Sequence, residues 1–138
     1  MSIDQNKQLV RRLVDEAQVA GNLGVIDELF ADDFVDHTPL EGLPATREGV
    51  RMLFAGMLQA FPDLSIDISE QIAEDDRVVT RKTFRGTHGG PFLGIPATGK
   101  PVRFEVIDIL TIRDRKICEH RVVLDKLGLL QQLGAIPA

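Results

Sequence analysis

The chain has 138 residues, 43% of them apolar and 27% charged, which suits one compact domain with a hydrophobic core. Asp and Glu number 21 against 16 Lys and Arg, and the net charge of −5 argues against binding of nucleic acid or of an anionic membrane. The sequence has no tyrosine or tryptophan, one cysteine, three histidines and no serine in a nucleophile-elbow pattern, so any chemistry would rely on carboxylates, imidazoles and arginines.

The first third of the chain is predicted to form two helices. Apolar residues recur at helical spacing over positions 9–17, Ser2 and Gln5 match a capping box, and Gly21 is typical of a helix end. A shorter apolar stripe over positions 25–30 predicts a second helix. No apolar run resembles a signal peptide or a membrane span, so we expect a soluble, cytoplasmic protein.

The rest of the chain is predicted to be mainly strands. A third helix runs from its cap at Thr46 to Pro62, and a last helix follows Asp125. Between these helices the apolar period changes from 3.6 residues to two. Four glycines and three prolines between Gly89 and Pro101 predict a long loop at a cavity mouth. The predicted strands cover residues 34–38, 64–69, 78–87, 102–112 and 116–124.

This order of elements predicts an α+β fold. Helices followed by a run of antiparallel strands differ from the alternating pattern of a parallel α/β protein. Strands of about ten residues exceed the usual five or six and must twist and curl. We therefore expect a single domain over residues 1–138, a cone in which a curved, mostly antiparallel sheet with one mixed edge wraps over about three N-terminal helices.

Two polar residues interrupt apolar rows of the predicted sheet. Asp108 shares a face with apolar residues on the fourth predicted strand, and His120 does so on the fifth. A buried carboxylate is costly unless it is paired, and a neighbouring imidazole is a natural partner. We therefore predict that Asp108 and His120 form an acid–base pair. A simpler alternative is that each is a hydrogen-bonded core residue without a catalytic role.

Further residues are candidate substrate contacts. Arg81 is either a cavity residue that pairs with Asp108 or a solvated charge on the outer face. His37 ends a strand and His88 begins the glycine-rich loop, which would place both at the cavity mouth. Cys118, on the predicted inner row, is interpreted as a small packing residue. The apolar walls would come from Phe61, Phe92 and Phe104.

The three histidines lie on separate elements and show no metal-ligand spacing, so we predict no metal site and no cofactor. Glycine patterns that cradle nucleotide phosphates are also missing from the sequence.

Five segments carry a family resemblance that spans residues 5–134. In chain order they read DHTP (36–39), FPDL (61–64), GTHGGPFLGIPATGK (86–100), RKICEH (115–120) and LLQQLG (129–134). With these motifs in this order, the chain resembles the SnoaL-like polyketide cyclase or ester cyclase family. The resemblance implies an NTF2-like cone, a homodimer formed through the outer face of the sheet, and chemistry without a cofactor.

The resemblance also implies roles for individual positions. In characterised cyclases of this family, an aspartate two residues after the His of the "EH" motif is the general acid/base, and Val122 stands there in this chain. Asp108 stands where those enzymes have a pocket histidine, and Arg121 where a Trp is common. The "VID" segment around Asp108 is also similar to the ketosteroid isomerase strand that supplies a protonated carboxyl to an oxyanion hole.

We therefore expect a cyclase-type enzyme acting on an apolar, polyketide-like carbonyl compound. Asp108 and His120 would exchange protons with the substrate, and Arg81 would support the developing oxyanion. The alternative is a dimeric NTF2-like protein that binds an apolar ligand without catalysis, which the valine at position 122 favours. A metal-dependent enzyme is a third possibility.

Overall fold

A computed structural model describes residues 2–138 of the chain. Its helices pack on one face of a five-stranded sheet, and no helix among these residues is both long and apolar enough to cross a membrane. Helix α1 continues without a break as a π-helix over Leu13–Val19. The α-helices are α1 (Ile3–Arg12), α2 (Gly24–Leu29), α3 (Arg47–Ala60) and α4 (Lys126–Gln132).

The sheet has the strand order β1-β5-β4-β3-β2. All neighbouring strands are antiparallel except β1, which pairs with β5 in parallel. Its strands are long and the sheet curves over the helices, so the predicted α+β fold with one mixed edge is confirmed. The strands are β1 (Phe30–Asp36), β2 (Ser65–Glu74), β3 (Arg77–Thr87), β4 (Pro101–Arg113) and β5 (Lys116–Leu124).

The predicted helix caps are largely present. Ser2 and Gln5 form the capping box, with the Gln5 N–H donating to Ser2 Oγ over 3.1 Å. Gly21 follows the π-helix in the left-handed conformation, with φ of +78°. Asp125 accepts a hydrogen bond from the Gly128 N–H at the start of α4. Thr46 occupies the N-cap position of α3 but makes no side-chain capping bond.

The π-helix after α1 was not predicted. A π-helix closes i→i+5 hydrogen bonds, so its side chains drift out of phase with those of the preceding α-helix. Leu13, Val14 and Ala17 remain buried against the core. Gln18, which an uninterrupted α-helical pattern did not single out, reaches the interior next to β3.

Two apolar clusters fill the space between the helices and the sheet. One joins α1, the π-helix, α2, β1 and the first half of α3 to the ends of β3, β4 and β5 that lie nearest to them. It includes Val10, Ile26, Phe34 and Leu110. The other joins the end of α3 to β3, β4 and α4 through residues such as Phe61. Between the two clusters the interior is hollow, as the predicted cone requires.

A β-bulge corrects the prediction for Cys118. Simple alternation placed this residue on the inner row, but the register shifts between Thr111 and Ile112, and Ile117 takes the buried position. Cys118 is the extra residue, and its thiol donates to the Thr111 carbonyl over 3.4 Å. Beyond the bulge, His120 and Val122 face the interior as predicted.

The glycine-rich loop folds back against the end of α3. The N–H groups of Gly89 and Gly90 both donate to the Ala60 carbonyl, which satisfies a free acceptor at the helix end. A side chain at Gly90 would collide with the Gln59 carbonyl, so this approach requires glycine. The loop therefore reaches the open end of the cone held by backbone contacts.

A tight hairpin turn forms the tip of this loop. Phe92 and Ile95 exchange two backbone hydrogen bonds, and Leu93 and Gly94 between them have φ of +51° and +75°. Positive φ at both central positions is the geometry of a type I′ turn. For Leu93 this conformation costs about 1–2 kcal/mol. Phe92 and Leu93 both line the cavity at its mouth.

Candidate active site

A cavity of about 200 Å³ lies inside the cone. Its wall is mostly apolar, because β3, β4 and β5 present alternate side chains to it and α3 closes the opposite side. The polar groups in the wall are therefore few and well separated. The phenylalanines that line the cavity are Phe30, Phe54, Phe84, Phe92 and Phe104. The polar lining residues are Gln18, Thr38, Lys82, Asp108, His120 and Lys126.

Lys82 and Asp108 form a buried ion pair in the cavity wall. Lys82 Nζ lies 2.7 Å from Asp108 Oδ2, and only 3% and 5% of the two side chains are exposed. Asp108 faces Thr80 across β3 and β4, so Lys82 reaches it diagonally along the strand. Lys82 Nζ also donates to Gln18 Oε1 over 3.3 Å, and Gln18 belongs to the π-helix. The charges of Lys82 and Asp108 compensate each other inside an apolar wall.

His120 pairs with Asp36 on the neighbouring parallel strand. The two residues are register partners of β5 and β1, and His120 Nδ1 lies 3.1 Å from Asp36 Oδ1. The same carboxylate oxygen accepts the Thr38 N–H over 3.0 Å, and Thr38 Oγ1 accepts the Val122 N–H over 2.8 Å. These contacts fix the DHTP segment against β5 and hold the imidazole at the cavity wall.

The charge of Asp36 determines the tautomer of His120. Burial acts to raise the pKa of Asp36, but the hydrogen bonds from His120 and Thr38 outweigh it, and the pKa lies below its ordinary value of 3.8. An ionised carboxylate only accepts hydrogen bonds, so Nδ1 of His120 carries the proton. In the neutral ring, Nε2 is then the atom that can accept a proton from a ligand.

The predicted contact between Asp108 and His120 is wrong, although both residues line the cavity. Asp108 faces Val122 across the strands, while His120 faces Leu110, two positions away. Asp108 instead contacts Lys82 at 2.7 Å, and His120 contacts Asp36 at 3.1 Å. The site therefore consists of two pairs, Lys82–Asp108 and His120–Asp36.

Arg81 lies outside the cavity, which corrects its prediction as a substrate contact. It faces away from Lys82, because successive residues of a strand point to opposite faces. On the outer face Arg81 Nε binds Glu105 Oε2 at 2.9 Å. Lys82, on the inner face of the same strand, lines the cavity instead. A clue was present in the sequence, because Lys82 is in phase with Val78 and Phe84.

His37 and His88 do not line the cavity either. His37 is followed by a turn, and its Nε2 lies 3.3 Å from Glu119 Oε1 on the outer side of the sheet. His88 is fully buried at the base of the glycine-rich loop, where its Nδ1 accepts the Thr98 N–H over 3.2 Å. This contact and two backbone bonds between residues 88 and 99–100 give His88 a structural role in the loop.

Of the three phenylalanines predicted to contact the substrate, two line the cavity and one does not. Phe92 and Phe104 line the cavity, while Phe61 is fully buried behind them. Ring centroids of Phe61 lie 5.4 Å from Phe92 and 6.3 Å from Phe104. Phe61 thus supports the aromatic wall. Burial also raises the pKa of the Cys118 thiol, which suits packing better than nucleophilic chemistry.

The Asp36 carboxylate makes the stability of the fold depend on pH in the acid range. Its lowered pKa means that ionised Asp36 stabilises the fold above pH 3.8, and that this contribution is lost as the pH falls through the lower folded-state pKa. Asp36→Asn should lower Tm by about 5 °C at neutral pH. The difference from the parent should shrink below pH 3.8 in thermal melts.

Asp33→Asn is a matched control, since it removes the same charge from an exposed position on the same strand. It should leave Tm unchanged across this range. A difference for Asp36→Asn that persists undiminished in acid would contradict the role of ionised Asp36.

Known proteins are similar in sequence to this chain over most of its length. Over 131 residues the chain is 31% identical to the aklanonic acid methyl ester cyclase DauD of Streptomyces sp. (strain C5), covering 91% of this chain and 80% of that protein. The sequence profile of SnoaL-like polyketide cyclases matches residues 8–133. The chain belongs to the SnoaL-like polyketide cyclase family. The resemblance carried by the five motifs is thereby confirmed.

Solved structures of similar proteins have the same fold as this chain. TsrD from Streptomyces laurentii superposes on this SnoaL-like chain with a TM-score of 0.90 at 30% identity, covering 99% of each chain. AclR from Streptomyces galilaeus, a proposed hydroxylase, has a TM-score of 0.87 at 32% identity, covering 99% of this chain and 85% of its own.

Two positions at which this SnoaL-like chain departs from the family resemblance lie on opposite faces of β5. Val122 lines the cavity, where it presents only methyl groups. Arg121 is exposed on the outer face opposite Ile109. Among residues 2–138, no three His, Cys, Asp or Glu side chains are grouped as metal ligands.

Proposed function

We propose that this chain catalyses a cofactor-independent, aldol-type ring closure or isomerisation of an apolar, polyketide-like carbonyl compound. Membership of the SnoaL-like cyclase family and the similarity to an aklanonic acid methyl ester cyclase support this reaction class. The observation that carries the proposal is the His120–Asp36 pair, which presents an imidazole to the same apolar cavity as the Lys82–Asp108 ion pair.

In this proposal His120 is the general base. Its Nε2 removes a proton from the carbon next to a substrate carbonyl, and the C–H electron pair becomes the enolate. Asp36 holds the ring orientation and stabilises the imidazolium that forms. The same proton is returned from His120 to the product at the end of the cycle, so the reaction needs no external acid or base.

Lys82 stabilises the negative charge that develops on the carbonyl oxygen. An ammonium group in an apolar wall interacts with an oxyanion more strongly than it would in water. The enolate carbon then attacks a second carbonyl of the same molecule, and the new alkoxide takes the proton from His120. Lys82 thus takes the role of oxyanion partner that was predicted for Arg81.

The experiment is a conversion assay with aklanonic acid methyl ester, the compound after which the related cyclase is named. Chromatography and absorbance spectra distinguish the closed product from unreacted compound, and mass spectrometry checks that the mass is unchanged. A related ketone incubated in D₂O adds a second measurement, because general-base removal of the proton exchanges deuterium into the carbon next to the carbonyl.

Ligand binding without catalysis is the second candidate. Val122 favours it, because the family's catalytic aspartate would stand at this cavity position. Under this alternative the chain binds the same compounds, but neither conversion nor deuterium exchange occurs.

We also propose a homodimer formed through the outer face of the sheet. Ile107 and Val123 are register partners there, and Val123 is 75% exposed. Val79 and Ile109 are likewise partners in the adjacent row, which extends the apolar surface. An exposed apolar patch on a sheet favours burial against a second copy.

Val123→Glu should therefore convert a dimer of twice the 15.3 kDa chain mass into a monomer, measured by light scattering after size exclusion. Leu127→Glu is the matched control, because Leu127 is 61% exposed on α4, away from this face. A monomeric parent, or an unchanged mass for Val123→Glu, would contradict the proposed interface.

A further inference from the structure

Asp108 has one carboxylate oxygen without a partner. Oδ2 contacts Lys82, but Oδ1 is buried and accepts no hydrogen bond within the described chain, residues 2–138. The residue as a whole is only 4% exposed and lines the cavity. A buried acceptor that remains unpaired is costly, so natural proteins rarely keep one without a use.

Lys82 has donors to spare beside this oxygen. An ammonium group carries three N–H donors, and the contacts of Lys82 Nζ are Gln18 Oε1 at 3.3 Å and Asp108 Oδ2 at 2.7 Å. At least one N–H therefore remains for a ligand. The pair thus offers the cavity a donor and an acceptor on neighbouring atoms.

A ligand group that satisfies both positions must present an acceptor oxygen and a hydroxyl close together. An acidic hydroxyl, such as a phenol or an enol, is the strongest donor to a carboxylate. Phe84 and Phe104, whose ring centroids lie 5.2 Å apart in the wall, favour a flat conjugated group beside the pair. These two requirements together describe a carbonyl conjugated with a neighbouring hydroxyl.

We propose that the Lys82–Asp108 pair recognises a conjugated hydroxy-carbonyl group, with the carbonyl oxygen on Lys82 Nζ and the hydroxyl donating to Asp108 Oδ1. This inference rests on the proposed function for the carbonyl at Lys82, and it adds the substituent that the substrate carries beside that carbonyl. The orphaned oxygen then determines specificity, because a ketone without the hydroxyl leaves it unpaired.

Rigid aromatic ketones test the proposal by binding alone. Isothermal titration of the full chain compares 7-hydroxy-1-indanone with 1-indanone, which lacks the hydroxyl, and with 7-methoxy-1-indanone, in which it is blocked. The hydroxy compound should bind about tenfold more tightly than either. Acetylacetone, whose enol form presents the same hydroxyl and carbonyl without an aromatic ring, tests whether an enol is accepted in place of a phenol.

Two variants assign the preference to Asp108. Asp108→Asn keeps the shape but weakens the acceptor, and should reduce the preference to below about threefold. Arg81→Met, on the outer face of the same strand as Lys82, should leave all affinities unchanged. Thermal melts establish that each variant is folded. If Asp108→Asn does not fold, the relative affinities of the parent for the three indanones test the proposal on their own.

The outcomes separate this inference from the proposed function. Equal affinities for the three indanones, or no binding of any of them, would overturn the recognition of a hydroxy-carbonyl group even if cyclisation occurs. A clear preference without conversion or deuterium exchange would support the recognition and overturn the proposed catalysis. The preference should also survive in His120→Ala, since binding does not use the base.

Discussion

His120→Ala should lower the rate of ring closure by about 10²–10⁴-fold, the usual contribution of a positioned general base. The variant keeps the cavity walls and the Lys82–Asp108 pair, so substrate affinity should change little while kcat falls. Deuterium exchange into the ketone should fall by a similar factor. Asp36→Asn should produce a smaller loss in kcat, because the imidazole remains but its tautomer and orientation are no longer fixed.

His37→Ala is the matched control for this experiment. His37 is also a histidine beside a carboxylate, Glu119, but it lies outside the cavity. Its removal should leave kcat and KM within about twofold of the parent, because no substrate contact is lost. Equal activity of His120→Ala and the parent would show that His120 is not the base.

Breaking the buried ion pair should have the largest effect on stability. Lys82→Met leaves the Asp108 carboxylate buried without its counter-charge, which should lower the free energy of unfolding by about 3–5 kcal/mol. Asp108→Leu should have a comparable effect by leaving the ammonium unpaired. Urea unfolding of the two variants measures both losses.

The double variant Lys82→Met/Asp108→Leu should recover most of this stability. Replacing both charges with apolar side chains removes the desolvation penalty, so its unfolding free energy should be close to that of the parent or higher. It should nevertheless lack activity, because the oxyanion partner is gone. Losses that simply add in the double variant would indicate that the two charges do not interact.

Arg81→Met provides the comparison on the same strand. Arg81 pairs with Glu105 at 2.9 Å, but both side chains are substantially exposed. Exposed pairs of this kind contribute little to stability, because water and salt screen the attraction between the two charges. A loss for Arg81→Met as large as that for Lys82→Met would contradict the importance of burial.

The sequence predicted the faces of the sheet better than the contacts made on them. Period-two alternation identified Asp108 and His120 as polar interruptions, and both line the cavity. It did not identify their partners, because strand register and order depend on packing of the whole sheet. On β3 the side to which Arg81 points was ambiguous, since polar residues occur on both faces of that strand.

Irregular backbone accounts for most of the remaining differences. The bulge that displaces Cys118 and the π-helix that brings Gln18 inward have no local sequence signature that periodicity detects. Asp36 was visible only as part of the DHTP motif. Its role depends on β1 pairing in parallel with β5, which no local pattern reveals.

The parallel edge of the sheet also has a consequence for how the protein is made. Asp36 and His120 are separated by 84 positions in the chain, so closing the loop between them is among the slower events in folding. During synthesis, β1 has no partner strand until β5 has left the ribosome. The His120–Asp36 pair can therefore form only after β5 has been synthesised.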